Sequence, residues 1–442
     1  MTTSIPRPRR APEPARSRPT PQASAPGERR PQSSGPAAMV RVKKIFAAET
    51  GNYFLVLGAT LFLVVFGLIM VLSSSAVESL TSTGGSFAGF IRQGLFAIIG
   101  LPLMLFAARM PMVFWKKWAG ILMIGAIGLQ LLVFLPGIGF AVGGNRNWIH
   151  IGGFTAQPSE LIKVALVVWV SLTLAKKRDS FDNWRALVVP LVPVAGAAIG
   201  LVLLGGDLGT VIILAAIVFG ALFFAGIKLR FLAVPVIVLG FFGLIAAFAT
   251  GSRQDRIGQF LDGCKSDAAQ ACWQTVHGWW ALASGGFFGV GLGNSKLKWS
   301  WIPEADNDFI FAVIGEELGL LGAVLVLALF IVLTIGFVRI IRANRDPFAK
   351  VAVSAVMVWI IGQAFINIAV VLGILPVLGV PLPLISAGGS SLVTTLIAIG
   401  IVLSFARQAP DRTAMPSGRA PSARTTPGRV GDARRAPTGR QR

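Results

Sequence analysis

The sequence predicts an all-α polytopic membrane protein of about ten transmembrane helices, with a long extracytoplasmic loop between the seventh and eighth spans. Three observations predict it. Of 442 residues, 54% are hydrophobic and only 13% charged, where a soluble domain carries roughly 25% charged residues. The apolar residues come in long uninterrupted runs, and about 20 such residues carry a helix across ~30 Å of hydrocarbon. Lys and Arg gather in alternate short loops and in the two tails, the asymmetry that sets orientation in a membrane.

Taken in order, residues 1–48 form a basic segment rich in Pro, Ser, Ala and Arg, with ten Lys/Arg against two acids in its first 44 positions. Such a composition cannot bury a core and predicts a disordered tail. Ten spans follow at 53–72, 91–108, 118–134, 158–175, 186–204, 208–225, 231–249, 309–337, 351–372 and 384–405. The first is expected to serve as its own export signal. Residues 408–442 form a second disordered basic tail, so the membrane domain is 49–407.

The short loops near Lys116, Lys176, Lys228 and Arg342 hold 13 Lys/Arg between them, whereas the four short loops on the opposite side hold only Arg146. The positive-inside rule therefore puts the first set and both termini in the cytoplasm. The remaining loop, about 250–307, carries five basic residues, but long loops translocate largely regardless of charge. The net charge of +21 sits mostly in the tails beside membrane spans. That location predicts contact with anionic lipid headgroups rather than nucleic acid.

Within the exported loop, Cys264 and Cys272 are the only cysteines of the chain. An oxidising compartment favours a disulfide between them. The segment GWWALASGGFFGVGLG at 278–293 reads as a re-entrant or interfacial piece, because irregular backbone at membrane depth must lie against protein or a cavity.

Charges inside spans are costly and therefore informative. In QPSELIK, Glu160 and Lys163 stand three residues apart on one helix face and are expected to pair. In IPEADNDFIFAVIGEELG, a helix continued back through Asp308 would put Glu316 about 80° away, so that the two could face one cavity, with Glu317 turned to another helix. On the same side lie Arg146 and Trp148, Arg253 and Arg256, Lys296 and Lys298, and Ser390 within GGSS. Basic groups beside the amides of a Gly-Gly-Ser turn suit a pyrophosphate. They equally suit lipid headgroups, and the residues alone leave a transporter, a lipid enzyme and a scaffold open.

Five segments resolve that choice by resemblance: GGNRNWIHIGGFTAQPSELIK, DLGT, ALASGGFFGVGLG, IPEADNDFIFAVIGEELGLLG and GILPVLGVPLPLISAGGSS. In this order they resemble the SEDS family (shape, elongation, division and sporulation) of peptidoglycan glycosyltransferases over nearly all of residues 50–407. NDFIF, QAFIN and ISAGG resemble the division type more than the elongation type. The resemblance implies a multi-pass protein of the bacterial cytoplasmic membrane at the division septum that polymerises lipid II. An acceptor 4-hydroxyl would attack C1 of the lipid-linked glycan strand, with inversion and expulsion of undecaprenyl pyrophosphate. Asp308 matches the family's essential acid, and Glu160 and Lys163 its buried ion pair. Arg146, Trp148, Glu160, Lys163, Lys296, Glu316 and Ser390 are then candidates to bind substrate. No cofactor is recognisable and no metal motif is present, though a divalent cation, Mg or Mn, could share the charge of the leaving group. A class B penicillin-binding transpeptidase and other divisome proteins are the implied partners. Lipid II flipping, elongation-type polymerisation and a non-catalytic scaffold are the alternatives.

Overall fold

The computed structural model describes residues 51–408 except for 84–86, 143, 152–153, 182, 229, 233–239, 241–253, 255–256, 259, 262, 265–269 and 297–304. Both tails, most of the expected seventh span, and Arg253, Arg256, Lys298 and Glu304 lie outside the described residues. The described helices are α1 (Gly51–Thr83), α2 (Ala88–Arg109), α3 (Met112–Leu132), α4 (Pro158–Lys176), α5 (Trp184–Leu204), α6 (Leu208–Ala225) and α7 (Gln270–Gly285). They continue as α8 (Ile310–Ala343), α9 (Pro347–Val371) and α10 (Gly389–Gln408).

Eight of these, all except α5 and α7, are long and apolar enough to cross a membrane, so the chain is a multi-pass membrane protein. The expected fifth span is present as α5, with a shorter apolar stretch, Val188–Leu204. Pro190 and Pro193 lie inside it; membrane helices tolerate such prolines because neighbouring groups satisfy the freed carbonyls.

Packing divides the helices into a centre and a periphery. Within the most apolar windows of α4, α9 and α10, 72%, 67% and 78% of residues are buried, against 28% and 22% for α2 and α3. α2 packs on α10, α9 on α6, α8 on α1, and α3 on α4. Small residues permit close approach where hydrocarbon offers no hydrophobic driving force between helices. A Cβ at Gly400 of α10 would strike the Met104 carbonyl of α2, and one at Gly67 of α1 the backbone of Leu384 and Ile385.

One element was not anticipated. Between α3 and α4 the chain folds into a three-stranded antiparallel sheet, β1 (Gly139–Val142), β2 (Asn145–Ile151) and β3 (Phe154–Ala156), with β2 central. In β2 the alternation is that of a half-buried strand: Asn147 and Ile149 are buried, while Arg146 and His150 are exposed. The sheet docks on α5 through a bond from Arg146 N to the Gly205 carbonyl, 2.7 Å. Asn147 Oδ1 accepts from Gln130 Nε2 of α3, 2.9 Å.

α8 is broken. Gly319 has φ 67 and ψ −162, a conformation that side-chain-bearing residues rarely adopt. Into the break fits the chain that follows α7. Val290 N and Gly291 N donate to the carbonyls of Glu316 and Glu317, while Leu320 N and Leu321 N donate to those of Gly286 and Phe287. A Cβ at Gly285 or Gly289 would collide with backbone there. The expected re-entrant segment 278–293 is thus helical to Gly285 and irregular beyond it, with backbone groups of Gly286, Phe287, Val290 and Gly291 bonded to α8. Cys264 and Cys272 are joined as a disulfide at the head of α7.

Candidate active site

The site is built from the first turn of α4 outward. Pro158 occupies the opening of α4, where the missing N–H costs nothing, and Glu160 and Lys163 follow. Lys163 Nζ lies 2.8 Å from both carboxylate oxygens of Glu160. It also donates to Gln363 Oε1 at 3.3 Å and lies 5.0 Å from the centre of the Trp359 ring. Thr394 Oγ1 of α10 donates to the other side of the carboxylate at 3.2 Å. Only 3% of Glu160 and 2% of Lys163 is exposed. Two charges this deep are tolerable only when paired and hydrogen-bonded together, which is the arrangement present.

From the pair, contacts run along α9. Gln363 Oε1 also accepts from Trp359 Nε1, 3.0 Å, and its Nε2 donates to the Pro381 carbonyl, 2.9 Å. One turn further, Asn367 Nδ2 donates to the carbonyls of Asp308 and Val380, each at 2.8 Å. A small cavity of about 10 Å³ lies between Glu160, Lys163, Thr210, Gln363 and the 379–381 segment. That is close to the smallest volume that holds one water.

Asp308 stands at the edge of this cluster. It belongs to the turn 305–309 that precedes α8 and is half-buried. Its Oδ2 lies 3.6 Å from where a Cβ would sit on Gly379. Neighbouring carbonyls of the turn are held from the 373–388 loop: Ala387 N donates to Asp306 O at 2.9 Å, and Ser386 Oγ to Asn307 O at 2.6 Å. That loop carries Leu384 at φ 68, a left-handed conformation costing about 1–2 kcal/mol for a residue of its kind. Gly67 of α1 closes over it. Between α5 and α6, Asp207 caps α6 through Thr210 N and Thr210 Oγ1, at 2.9 and 2.8 Å, and accepts from Gln157 Nε2. Burial pushes its carboxyl above the ordinary range, opposed by those Thr210 bonds.

Glu316 and Glu317 form a separate buried cluster. Glu316 accepts from Ser295 Oγ, from Lys296 N at 3.1 Å and from Ser284 Oγ at 3.4 Å. Glu317 accepts from Ser73 Oγ of α1 at 2.7 Å and from Ser295 N at 3.4 Å. The expected angle between Asp308 and Glu316 does not hold, because the helix begins only at Ile310. Glu316 is engaged with the 284–296 segment instead.

The other expected site residues distribute as follows. Arg146 turns its guanidinium onto the end of α3, with Nε 3.2 Å from Val133 O and Nη2 3.4 Å from Phe134 O. Trp148 lies opposite Phe140 in the sheet. Lys296 offers its amide to Glu316, and its side chain is exposed. Ser390 opens α10, and its carbonyl accepts from the same Thr394 hydroxyl that reaches Glu160. The structure therefore groups Asp308, Glu160, Lys163 and the opening of α10, and engages Arg146, Trp148, Lys296 and Glu316 elsewhere. Sequence reasoning missed Gln363 and Asn367, although two amides four apart in an otherwise apolar span are the signal that would have found them.

Comparison with known proteins agrees with this architecture. The family described as cell cycle proteins, FtsW/RodA/SpoVE, matches residues 54–410. The chain is 38% identical over 393 residues to a probable peptidoglycan glycosyltransferase FtsW of Mycobacterium tuberculosis, covering 89% of this chain and 74% of that protein. It is 36% identical over 361 residues to stage V sporulation protein E of Bacillus subtilis, covering 81% and 98%. Its fold is similar to that of the rod shape determining protein RodA of Thermus thermophilus, with a TM-score of 0.59 at 24% identity over 80% and 97% of the two chains. A chain of a peptidoglycan synthase complex, described as coordinating polymerization and crosslinking, gives a TM-score of 0.62 at 24% identity over 79% and 98%.

Proposed function

We infer that this chain, which belongs to the FtsW/RodA/SpoVE family of cell cycle proteins, is a peptidoglycan glycosyltransferase that polymerises lipid II at the division septum. The relatives named as probable peptidoglycan glycosyltransferases, at 37–38% identity, support the reaction class. The observation that carries the mechanism is the setting of Asp308. It is a half-buried carboxylate on a turn outside any helix, with its backbone held from α9 and from the 373–388 loop.

A sugar hydroxyl is a weak nucleophile, and a carboxylate within about 3 Å can take its proton as it attacks. Asp308 performs that step on the 4-hydroxyl of the acceptor. The new bond forms from that oxygen to C1 of the donor sugar on the face opposite the pyrophosphate, and the bond from C1 to the leaving oxygen breaks. Undecaprenyl pyrophosphate departs with the electron pair. The first turn of α10, with Ser390, offers the positive end of a helix dipole to an anion. Lys296 and Arg146, which are engaged outside this cluster, are not assigned to the leaving group. A divalent cation, Mg or Mn, would travel with the pyrophosphate, an anion able to chelate it.

Lys163 has a different task. With Glu160 and Gln363 occupying its donors and room for about one water beside it, it supports the site rather than meeting substrate. Both termini are cytoplasmic and the Asp308 end faces outward, where the substrate sugars are. A transpeptidase partner cross-links the product.

The deciding experiment supplies purified lipid II to the full chain, reconstituted with its transpeptidase partner. Wild-type protein makes polymer; Asp308→Asn, folded and still partner-bound, does not. Polymer at the wild-type rate from Asp308→Asn would remove the general base and return lipid II flipping or a scaffold role to consideration.

A further inference from the structure

We propose that Asn367 is a positioning residue, a clamp that fixes the Asp308 turn to the wall of the ion-pair cavity. The inference rests on the reading of Asp308 as the general base. Three consecutive carbonyls of the turn, those of Asp306, Asn307 and Asp308, accept from Ala387 N, Ser386 Oγ and Asn367 Nδ2 respectively. Of these three donors, Asn367 is the one that also bonds a cavity-lining residue, through Val380 O. Four residues earlier on the same face of α9, Gln363 grips the next carbonyl of that segment, Pro381 O, while accepting from Lys163. One face of α9 thus runs from the Glu160–Lys163 pair to the backbone of Asp308.

Asn367 is only 1% exposed, and its Oδ1 has no hydrogen-bond partner among the described residues. An apolar residue would fill the same space without stranding an acceptor. What the amide supplies is its two donated bonds, which a hydrophobic side chain cannot make. A general base must be held to a fraction of an ångström, and a misplacement of about 1 Å costs on the order of 100-fold in rate.

The test uses the full chain with its transpeptidase partner, comparing wild type, Asn367→Leu and Asn367→Asp. Turnover of lipid II gives kcat and KM, and backbone hydrogen exchange on the same preparations follows 305–309 and 378–382. For Asn367→Leu the expectation is a kcat lower by about 100-fold, with KM for lipid II within about two-fold. Both segments exchange faster while α10 exchanges as before. Asn367→Asp keeps the shape, and its new carboxyl can donate at most one bond, so it falls between the two; it carries the test if Asn367→Leu fails to fold. Wild-type exchange in both segments, or faster exchange with unchanged kcat, overturns the clamp. A general rise in exchange, α10 included, overturns it in favour of a packing role. If Asp308→Asn polymerises normally while Asn367→Leu frees both segments, the base assignment fails and the clamp stands.

Discussion

Among the described residues, the buried acids of α4 and of α8 are met by different kinds of group. Glu160 is met by a cation one turn along its own helix, with Thr394 on its other side. The described partners of Glu316 and Glu317 are instead hydroxyls and backbone amides, drawn from Ser73, Ser284, Ser295 and Lys296. An ion pair fixes charge within rigid helices; a carboxylate collecting amides fixes a loop. The first site therefore stiffens the helices behind Asp308, and the second holds the 284–296 segment in the broken helix. The proposed general base, Asp308, lies beside the first.

The sharpest way to break this contrast is to compare turnover. Asp308→Asn is expected to cost about 10² to 10⁴-fold, the usual worth of a general base. Glu316→Gln is expected to stay within about ten-fold of wild type in the same lipid II assay. Comparable losses in both would dissolve the distinction. Next comes stability. Lys163→Met strands the Glu160 carboxylate and is expected to destabilise by about 3–5 kcal/mol, whereas Glu160→Gln with Lys163→Met together recovers most of it. Denaturant unfolding in detergent measures both. Opening the disulfide with Cys264→Ser and Cys272→Ser is expected to cost about 2–3 kcal/mol, since a loop this short confines little chain entropy. By hydrogen exchange that loss is expected to fall near α7 and to leave α4 unaffected. The smallest change is Glu316→Gln itself, about 1–2 kcal/mol, because the amide oxygen can still accept from Lys296 N while the amide NH2 donates to the Ser295 hydroxyl, so that only the charge-assisted part of the bonds is lost.

How far the sequence carried this picture follows from what is local. The spans other than the seventh, most of which lies outside the described residues, were legible because apolar length suffices to define them, and the Glu160–Lys163 pair because i and i+3 share a helix face. The angle between Asp308 and Glu316 was misjudged because the projection needs a helix running back through Asp308, and α8 starts only at Ile310. The sheet went unseen because its alternation lasts only a few residues, so Arg146 read as a free loop cation rather than as a strand residue capping α3. The approach of Asp308 to Gly379 joins segments far apart in the chain and leaves no periodic trace in either. The amides of QAFIN were visible, but only the fold says what they hold.

The graft in α8 bears on how the protein is made. Its four bonds join residues 26 to 34 positions apart, and the segment that supplies 286–291 is synthesised before the break it fills. A half-helix inserted with open amides and carbonyls at Gly319 would meet hydrocarbon with nothing to receive them. Because the filler precedes the gap, the two can close as a hairpin while the ninth and tenth helices are still in the ribosome. The defect is then mended before lipid reaches it.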